Sequence, residues 1–453
     1  MSRETPEAYV QREADRLVSE LRSCCEIPSI SAEGGPALAH MADWLTARLG
    51  TVLDEVRQVP VPGAPPAVMG RLNGTGPGTI LFYSHYDVQP AGAPEEWSSP
   101  AFAAELVNGT VVARGVCDDK SDVMARLHAL EAWTHTRGRP PCSIVWLTEG
   151  AEEIGSPGLG DLLRAHRDEL HADACLWESY LRREDGRPEI AFGCRGLVYV
   201  ELHLQRLRGD QHSAFATVFR SAAAELVRAL ATLTDADGIV TIDGFHDDIV
   251  PLVADELEAL RSIPLPDDAG AAVEGSSPFL AGDAAELARR LVAEPTANIA
   301  GIVTGYAGPG AKTVLPAEAR AKVDFRIVSG QSPQRVVELL REHLDRRGFS
   351  DIKIEVLQSV PASKSPIDFP LARAVTQAAR EQFGEPVRYP AVPGAGPLHL
   401  LEETFGIPTV MPPGSTRMDS GIHAPNEHAR VDDYLAQVHF TIRMLELLGE
   451  EAS

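Results

Sequence analysis

The feature that most constrains this chain is the alternation, through its first 195 residues, of short β-branched runs with helix-period segments, the pattern of an α/β layer fold. Thr79 to Tyr83, Ser143 to Thr148 and Ala174 to Trp177 read as buried strands. Between the first two, Val123, Met124, Leu127 and Leu130 recur at three- and four-residue steps and form one apolar helix face. An amphipathic helix is expected over Ala8 to Ser23. From Gly196 the texture changes to a strand (Leu197 to Leu204), a helix (about Ala216 to Leu233), a Pro- and Asp-rich middle with a long loop at Asp267 to Gly282, and strands from Ile299 onward. After Val360 the first texture returns with a helix (Leu371 to Phe383), an apolar strand (Pro408 to Met411) and an amphipathic helix (Tyr434 to Leu448). The expectation is an α/β, two-domain chain. Residues 1–195 and 361–453 form a domain with a mixed central sheet flanked by helices, and 196–360 form an inserted α+β domain.

Composition removes several function classes. The chain has 453 residues, 44% of them hydrophobic, which suffices for more than one core. No run reaches the roughly 18 apolar residues of a membrane helix, and Met1 to Glu20 is polar and acidic, unlike a secretory leader. A cytoplasmic location is expected. With 41 basic and 65 acidic residues the formal charge is −24, which repels phosphate backbones and anionic lipid, so neither nucleic acid nor membrane is an expected partner. The six cysteines include no C-x-x-C pair and read as reduced thiols.

Chemistry concentrates in five segments. H-Y-D-V-Q-P (His85 to Pro90), G-V-C-D-D-K-S (Gly115 to Ser121), E-G-A-E-E-I-G-S (Glu149 to Ser156) and W-E-S (Trp177 to Ser179) each place acid or imidazole groups past the carboxyl end of an expected strand. H-A-P-N-E (His423 to Glu427) follows the last strand. Two imidazoles with several carboxylates suit zinc and similar cations, and one carboxylate can bridge two ions. Such a pair acidifies a trapped water and polarises a carbonyl, while a spare carboxylate serves as general base. The consecutive Glu152 and Glu153 could divide ligand and base roles. Asp119 is expected to cap the helix that follows it.

These segments, in this order, resemble those of the aminoacylase, carnosinase and carboxypeptidase G family of two-metal peptidases over nearly the whole chain. A-R-G-V-C-D-D-K, G-A-K-T-V-L-P and D-F-R-I are most similar to its carnosinase-like dipeptidase branch. The resemblance implies metal ligands His85, Asp118 (bridging), Glu153, Glu178 and His423, with Glu152 as general base and Asp87 orienting the first imidazole. It implies two divalent ions, zinc foremost, with manganese or cobalt as alternatives. The insert becomes a lid and dimerisation domain, giving a homodimer. There His212 would stabilise an oxyanion, and Arg326 and Lys312 would bind substrate together with Gly394, which lies beyond the insert.

The implied activity is hydrolysis of dipeptides or short peptides. The alternative is a deacylase of N-acyl, N-carbamoyl or N-succinyl amino acids, and Glu178 favours it, because dipeptidase-like members tend to have Asp there. A silent binding protein is a third reading, opposed by the intact ligand set and Glu152. Gly305 to Thr313 has the glycine texture of a phosphate loop, but Ala311 separates Gly310 from Lys312 and Pro316 falls where a helix should begin. No G-x-S-x-G elbow is present.

Overall fold

The computed structural model describes residues 4–265, 280 and 282–451. The expected loop from Asp267 to Gly282 lies outside them apart from Leu280 and Gly282. The chain divides into two compact units, one made of Met1–Gly193, Ser365–Tyr389 and Leu400–Ser453, the other of Cys194–Lys364 and Pro390–His399. The segment 390–399, expected with the first domain, therefore groups with the second.

In the first unit six strands build one mixed sheet: β1 (Glu55–Val61), β2 (Ala64–Leu72), β3 (Thr79–His85), β4 (Ser143–Glu149), β5 (Ala174–Leu176) and β6 (Thr409–Val410). Their spatial order is β1, β2, β4, β3, β5, β6, with the last four mutually parallel and the first two antiparallel additions. β3 and β4 are buried along nearly their whole length, with apolar centres (Ile80 to Tyr83, Ile144 to Leu147), because both faces are covered, as parallel strands require. The covering helices are α1 (Pro6–Cys25), α2 (Pro36–Leu49), α3 (Ser121–Arg137), α4 (Pro370–Phe383) and α5 (Val431–Glu451). α1 starts where Thr5 accepts the Ala8 N–H and Pro6 occupies the first turn, and its buried stripe includes Val10, Leu17 and Leu21. α3 is buried continuously from Ser121 to Leu130, so its apolar periodicity marks a central helix rather than a surface one.

The second unit has a four-stranded antiparallel sheet in the order Thr296–Thr304, Glu318–Ile327, Gly196–Gln205, Lys353–Val360. Val198, Val200, Leu202 and Leu204 alternate inward beside Ala319, Ala321, Val323 and Phe325, and the helices Ala222–Leu230 and Pro333–Arg346 complete this core. The helix expected over Ala216 to Leu233 is shorter. A 3-10 turn at Ser213–Thr217 precedes it, and Ser221 caps the true start by accepting the Ala224 N–H.

Candidate metal centre

Three adjacent parallel strands bring side chains to one edge of the sheet. His85 is the last residue of β3, Glu178 lies just past β5, and Glu152 and Glu153 form a single 3-10 turn beyond β4. The chain can reach that turn because Gly150 lies against Tyr86, where a Cβ would come within 2.3 Å of the ring. Asp118 follows a strand as expected, but that strand, Thr110–Val112, belongs to a separate three-stranded sheet, and Asp118 sits at φ −125° and ψ 90°, outside the helical region, in the segment Val116–Lys120 that leads into α3. His423 lies in the loop between strands Pro413–Arg417 and His428–Arg430, with its backbone left-handed at φ 59°.

The geometry centres on Asp118. Its Oδ1 is 2.9 Å from His85 Nε2, and its Oδ2 is 3.0 Å from His423 Nε2. Glu178 Oε2 stands 3.9 Å from the His85 nitrogen, and Glu153 Oε2 stands 3.1 Å from the His423 nitrogen. Two groups result, His85–Asp118–Glu178 and Asp118–Glu153–His423, each with ligand atoms within 4.8 Å of one another and with Asp118 in both. Glu178 Oε1 is buried without a hydrogen-bond partner, an arrangement that a cation would relieve. The donor set, imidazole nitrogen with carboxylate oxygen, fits divalent zinc, manganese or cobalt.

Charge at the site is held against its usual preference. Burial, then the charge of Glu152, raises the Glu178 carboxyl well above the carboxylate range. Burial also pushes Glu152 up to about 7, with Asp118 and Glu153 adding to the rise and His85 opposing it. Burial would lower His85, but its hydrogen bonds to Asp118 and Asp87 outweigh that and raise it well above 6.5. His423 is raised to about 10 by Asp118 and Glu153. Four carboxyl groups against two imidazoles form a site that gains from cations.

Surrounding contacts set these positions. His85 Nδ1 faces the Asp87 main-chain oxygen at 3.1 Å and its carboxylate at 3.4 Å, leaving Nε2 toward Asp118. The Asp87 carboxylate also accepts the N–H groups of Glu152 and Glu153, both at 3.1 Å, and so orients the base and a ligand together. Asp119 does not cap α3. Its carboxylate accepts the His85 N–H at 3.1 Å instead, while Lys120 occupies the cap position.

Two further residues escaped the sequence reading. Gln89 donates to Glu153 through its main-chain N–H at 3.2 Å and its side chain at 2.9 Å. Arg126, fully buried on α3, donates to the carbonyls of Tyr83 and Trp177 and pairs with Asp122, tying together the ends of β3 and β5. No local motif could signal Arg126, since its role depends on two strands far away in sequence.

Of the expected site residues, the structure brings together His85, Asp87, Asp118, Glu152, Glu153, Glu178 and His423. His212, Lys312, Arg326 and Gly394 belong to the second unit. There His212 is exposed, its Nδ1 accepts the Ala214 N–H at 3.1 Å, and its Nε2 is 3.4 Å from Thr313 Oγ1. Lys312 lies over the Tyr306 ring, and Arg326 is half-buried on the strand Glu318–Ile327. Gly394 sits in an exposed loop.

Comparison with known proteins agrees with this arrangement. A Cys-Gly metallodipeptidase of Schizosaccharomyces pombe is 28% identical over 357 residues, covering 74% of this chain and 74% of its own. A beta-Ala-His dipeptidase of Homo sapiens is 28% identical over 359 residues, covering 74% of this chain and 70% of its own. The crystal structure of an M20 family metallo-carboxypeptidase from Sulfolobus solfataricus superposes with a TM-score of 0.84 at 32% identity, covering 96% of this chain and 99% of that one. The family model for peptidase family M20/M25/M40 matches residues 81–447. That span takes in every residue gathered around Asp118 and parts of both units, and the chain belongs to peptidase family M20/M25/M40.

Proposed function

We propose that this chain is a metal-dependent dipeptidase that hydrolyses the amide bond of dipeptides or short peptides with two divalent ions, zinc foremost. The observation that carries the reading is the placing of His85 and His423 on the two oxygens of one carboxylate, at 2.9 and 3.0 Å, with a further acid beside each imidazole. His85 and Glu178 would hold one ion, Glu153 and His423 the other, and Asp118 both. Bound there, the ions supply an acidified water and a polarised substrate carbonyl. Glu152, partly buried beside these ligands and outside the ligand set, would take the proton from that water and pass it to the leaving amine. Asp87 keeps the His85 ring turned with Nε2 inward.

In the second unit, His212 would stabilise the oxyanion, while Arg326, Lys312 and Gly394 would receive the substrate's carboxylate end. A homodimer through this unit is supported by its edge strand, where Ile299, Ile302 and Val303 are exposed large apolar residues. Among the described residues no helix is long and apolar enough to cross a membrane. All six cysteines are buried and outside disulfides, which supports a reducing, cytoplasmic setting.

A second reading, release of the C-terminal residue from longer peptides, is favoured by the metallo-carboxypeptidase likeness at 32% identity. The test takes the purified chain and its Glu152→Gln variant, measures bound metal, and assays dipeptides, longer peptides and N-acyl amino acids with zinc or manganese. Two metals per chain in both proteins, with dipeptide hydrolysis in the wild type and a loss of roughly 10²- to 10⁴-fold in the variant, is expected. Preference for longer peptides selects the carboxypeptidase, and turnover of N-acyl amino acids alone selects the deacylase. Stoichiometric metal with no turnover on any substrate returns the binding-protein reading.

A further inference from the structure

Glu427 is fully buried four residues beyond His423, and its carboxylate is spent entirely on the segment that carries Asp118. Oε1 accepts the main-chain N–H of Cys117 at 2.8 Å and that of Asp118 at 3.3 Å. Oε2 accepts the N–H of Gly115 at 2.9 Å and Nη1 of the buried Arg114 at 2.6 Å. An ionised carboxylate is an acceptor with no proton to donate, so it matches four converging donors as an amide cannot. Gly115 makes the approach possible, because its φ of 78° is left-handed and a Cβ there would lie 2.2 Å from Val88 Cγ1.

The same two segments are joined again by main chain. Ala113 N–H donates to the Glu427 carbonyl at 3.0 Å, Cys117 Sγ donates to the His428 carbonyl at 3.1 Å, and the strand His428–Arg430 pairs with Thr110–Val112. His85 and Glu178, by contrast, stand at and just past the ends of neighbouring parallel strands of the sheet and make no contact with Glu427 among the hydrogen bonds of the described residues. Asn426 anchors the other side of the His423 loop, donating to the Glu96 carbonyl and accepting the Ser98 N–H.

We infer that Glu427 is a positioning residue for one of the two ions: by gripping the Asp118 segment from the His423 loop, it sets the distance between those two ligands. Its loss therefore weakens most the ion held by Asp118, Glu153 and His423, which has ligands on both gripped segments, and weakens less the ion on the His85–Glu178 side, which shares only Asp118 with them. This inference rests on the two-metal reading above. A rival role exists, since Glu427 could serve only to neutralise Arg114 and so stabilise the fold.

The test compares the wild type, Glu427→Gln, and the double variant Glu427→Gln with Arg114→Met, which removes the buried charge conflict and keeps the fold accessible. Zinc binding to the metal-free proteins is followed by calorimetry and chelator competition, with melting of the metal-free proteins in parallel. We expect the double variant to melt close to the wild type, to bind one zinc within about threefold of the wild-type affinity, and to bind the other about 10- to 100-fold more weakly. Two wild-type affinities in the double variant, or equal weakening of both ions, overturns the inference and leaves Glu427 a partner of Arg114 alone. A wild type that binds no zinc defeats the two-metal reading itself, a result distinct from either.

Discussion

The metal-facing loops of the first unit and the candidate substrate residues of the second hold their side chains in opposite ways. Around Asp118, charged groups are buried and multiply bonded: Lys120 donates to the carbonyls of Cys24 and Ile27, Arg126 to those of Tyr83 and Trp177, and Arg114 pairs with Glu427. In the second unit His212, at the end of the two-residue strand Gln211–His212, and Lys312, on a loop, are both exposed, and the His212 ring has few polar partners. Metal ligands must hold their geometry before the ion binds, so folding energy is committed to fixing them. Groups that meet a substrate can be ordered by it. Removing a buried residue around Asp118 should therefore damage metal binding or stability, whereas removing an exposed one of the second unit should damage turnover alone.

The largest effect is expected at the residue both ligand groups share. Asp118→Asn keeps the shape but removes the charge, leaving His85 and His423 without their common carboxylate. Activity should fall by at least about 10³-fold, and bound metal should drop below one ion per chain, as read by elemental analysis. A variant that retains two ions would show that the acids at Glu153 and Glu178 suffice and that Asp118 is not the bridge.

Arg126 tests rigidity away from the ligands. Arg126→Met leaves Asp122 buried without its ion-pair partner and frees the carbonyls that end β3 and β5, at a cost of about 3–5 kcal/mol. Urea unfolding of the metal-free protein should show this loss, and metal affinity should fall with it because His85 and Glu178 sit at those strand ends. Unchanged metal binding in a destabilised variant would separate the helix layer from the site.

His212→Ala is the converse experiment. Stability should change by less than about 0.5 kcal/mol, since the side chain is exposed, and metal content should stay at the wild-type value. Turnover should fall by about 10²-fold, the scale of one lost oxyanion donor. Wild-type kinetics would remove His212 from the machinery and leave it as the cap of the 3-10 turn that follows it.

These contrasts also explain what could be read from the chain beforehand. β3, β4 and β5 were legible because parallel strands covered on both faces are apolar through their centres, and the acids and imidazoles that follow them have few structural uses at a strand end. The β1–β2 hairpin was missed, since Pro60, Pro62, Pro65 and Pro66 argue against strands. They are tolerated at the sheet margin, where β1 is the edge strand and the register slips between Val59 and Val61. Asp119 was expected to cap α3 because only neighbours in sequence were visible, and its actual partner, the His85 N–H, is 34 residues away. Arg126 and Glu427 were silent for the same reason: beyond one ion pair each, their partners are mostly main-chain carbonyls and N–H groups, which every residue has.

The smallest effect concerns a partly buried network in the helix layer of the first unit. Glu20 on α1 accepts from Arg48 of α2 at 2.8 Å and Arg16 at 2.7 Å, and it meets the fully buried His128 of α3 at 3.0 Å. Burial alone would raise this carboxyl, but the hydrogen bonds from His128 and Arg48 outweigh it and hold it down to about 2. A folded-state pKa below the unfolded value means the carboxylate stabilises the fold above about pH 4.5, and that contribution is lost as pH falls toward 2. Glu20→Gln should therefore cost on the order of 2 kcal/mol at pH 6 and progressively less below pH 4.5, read as converging urea midpoints of the two proteins. A gap that stays constant from pH 6 to pH 3 would show that Glu20 acts through packing rather than charge. In that case, the rigidity of the first unit would come from its apolar helix faces, with its buried ion pairs confined to shaping the site.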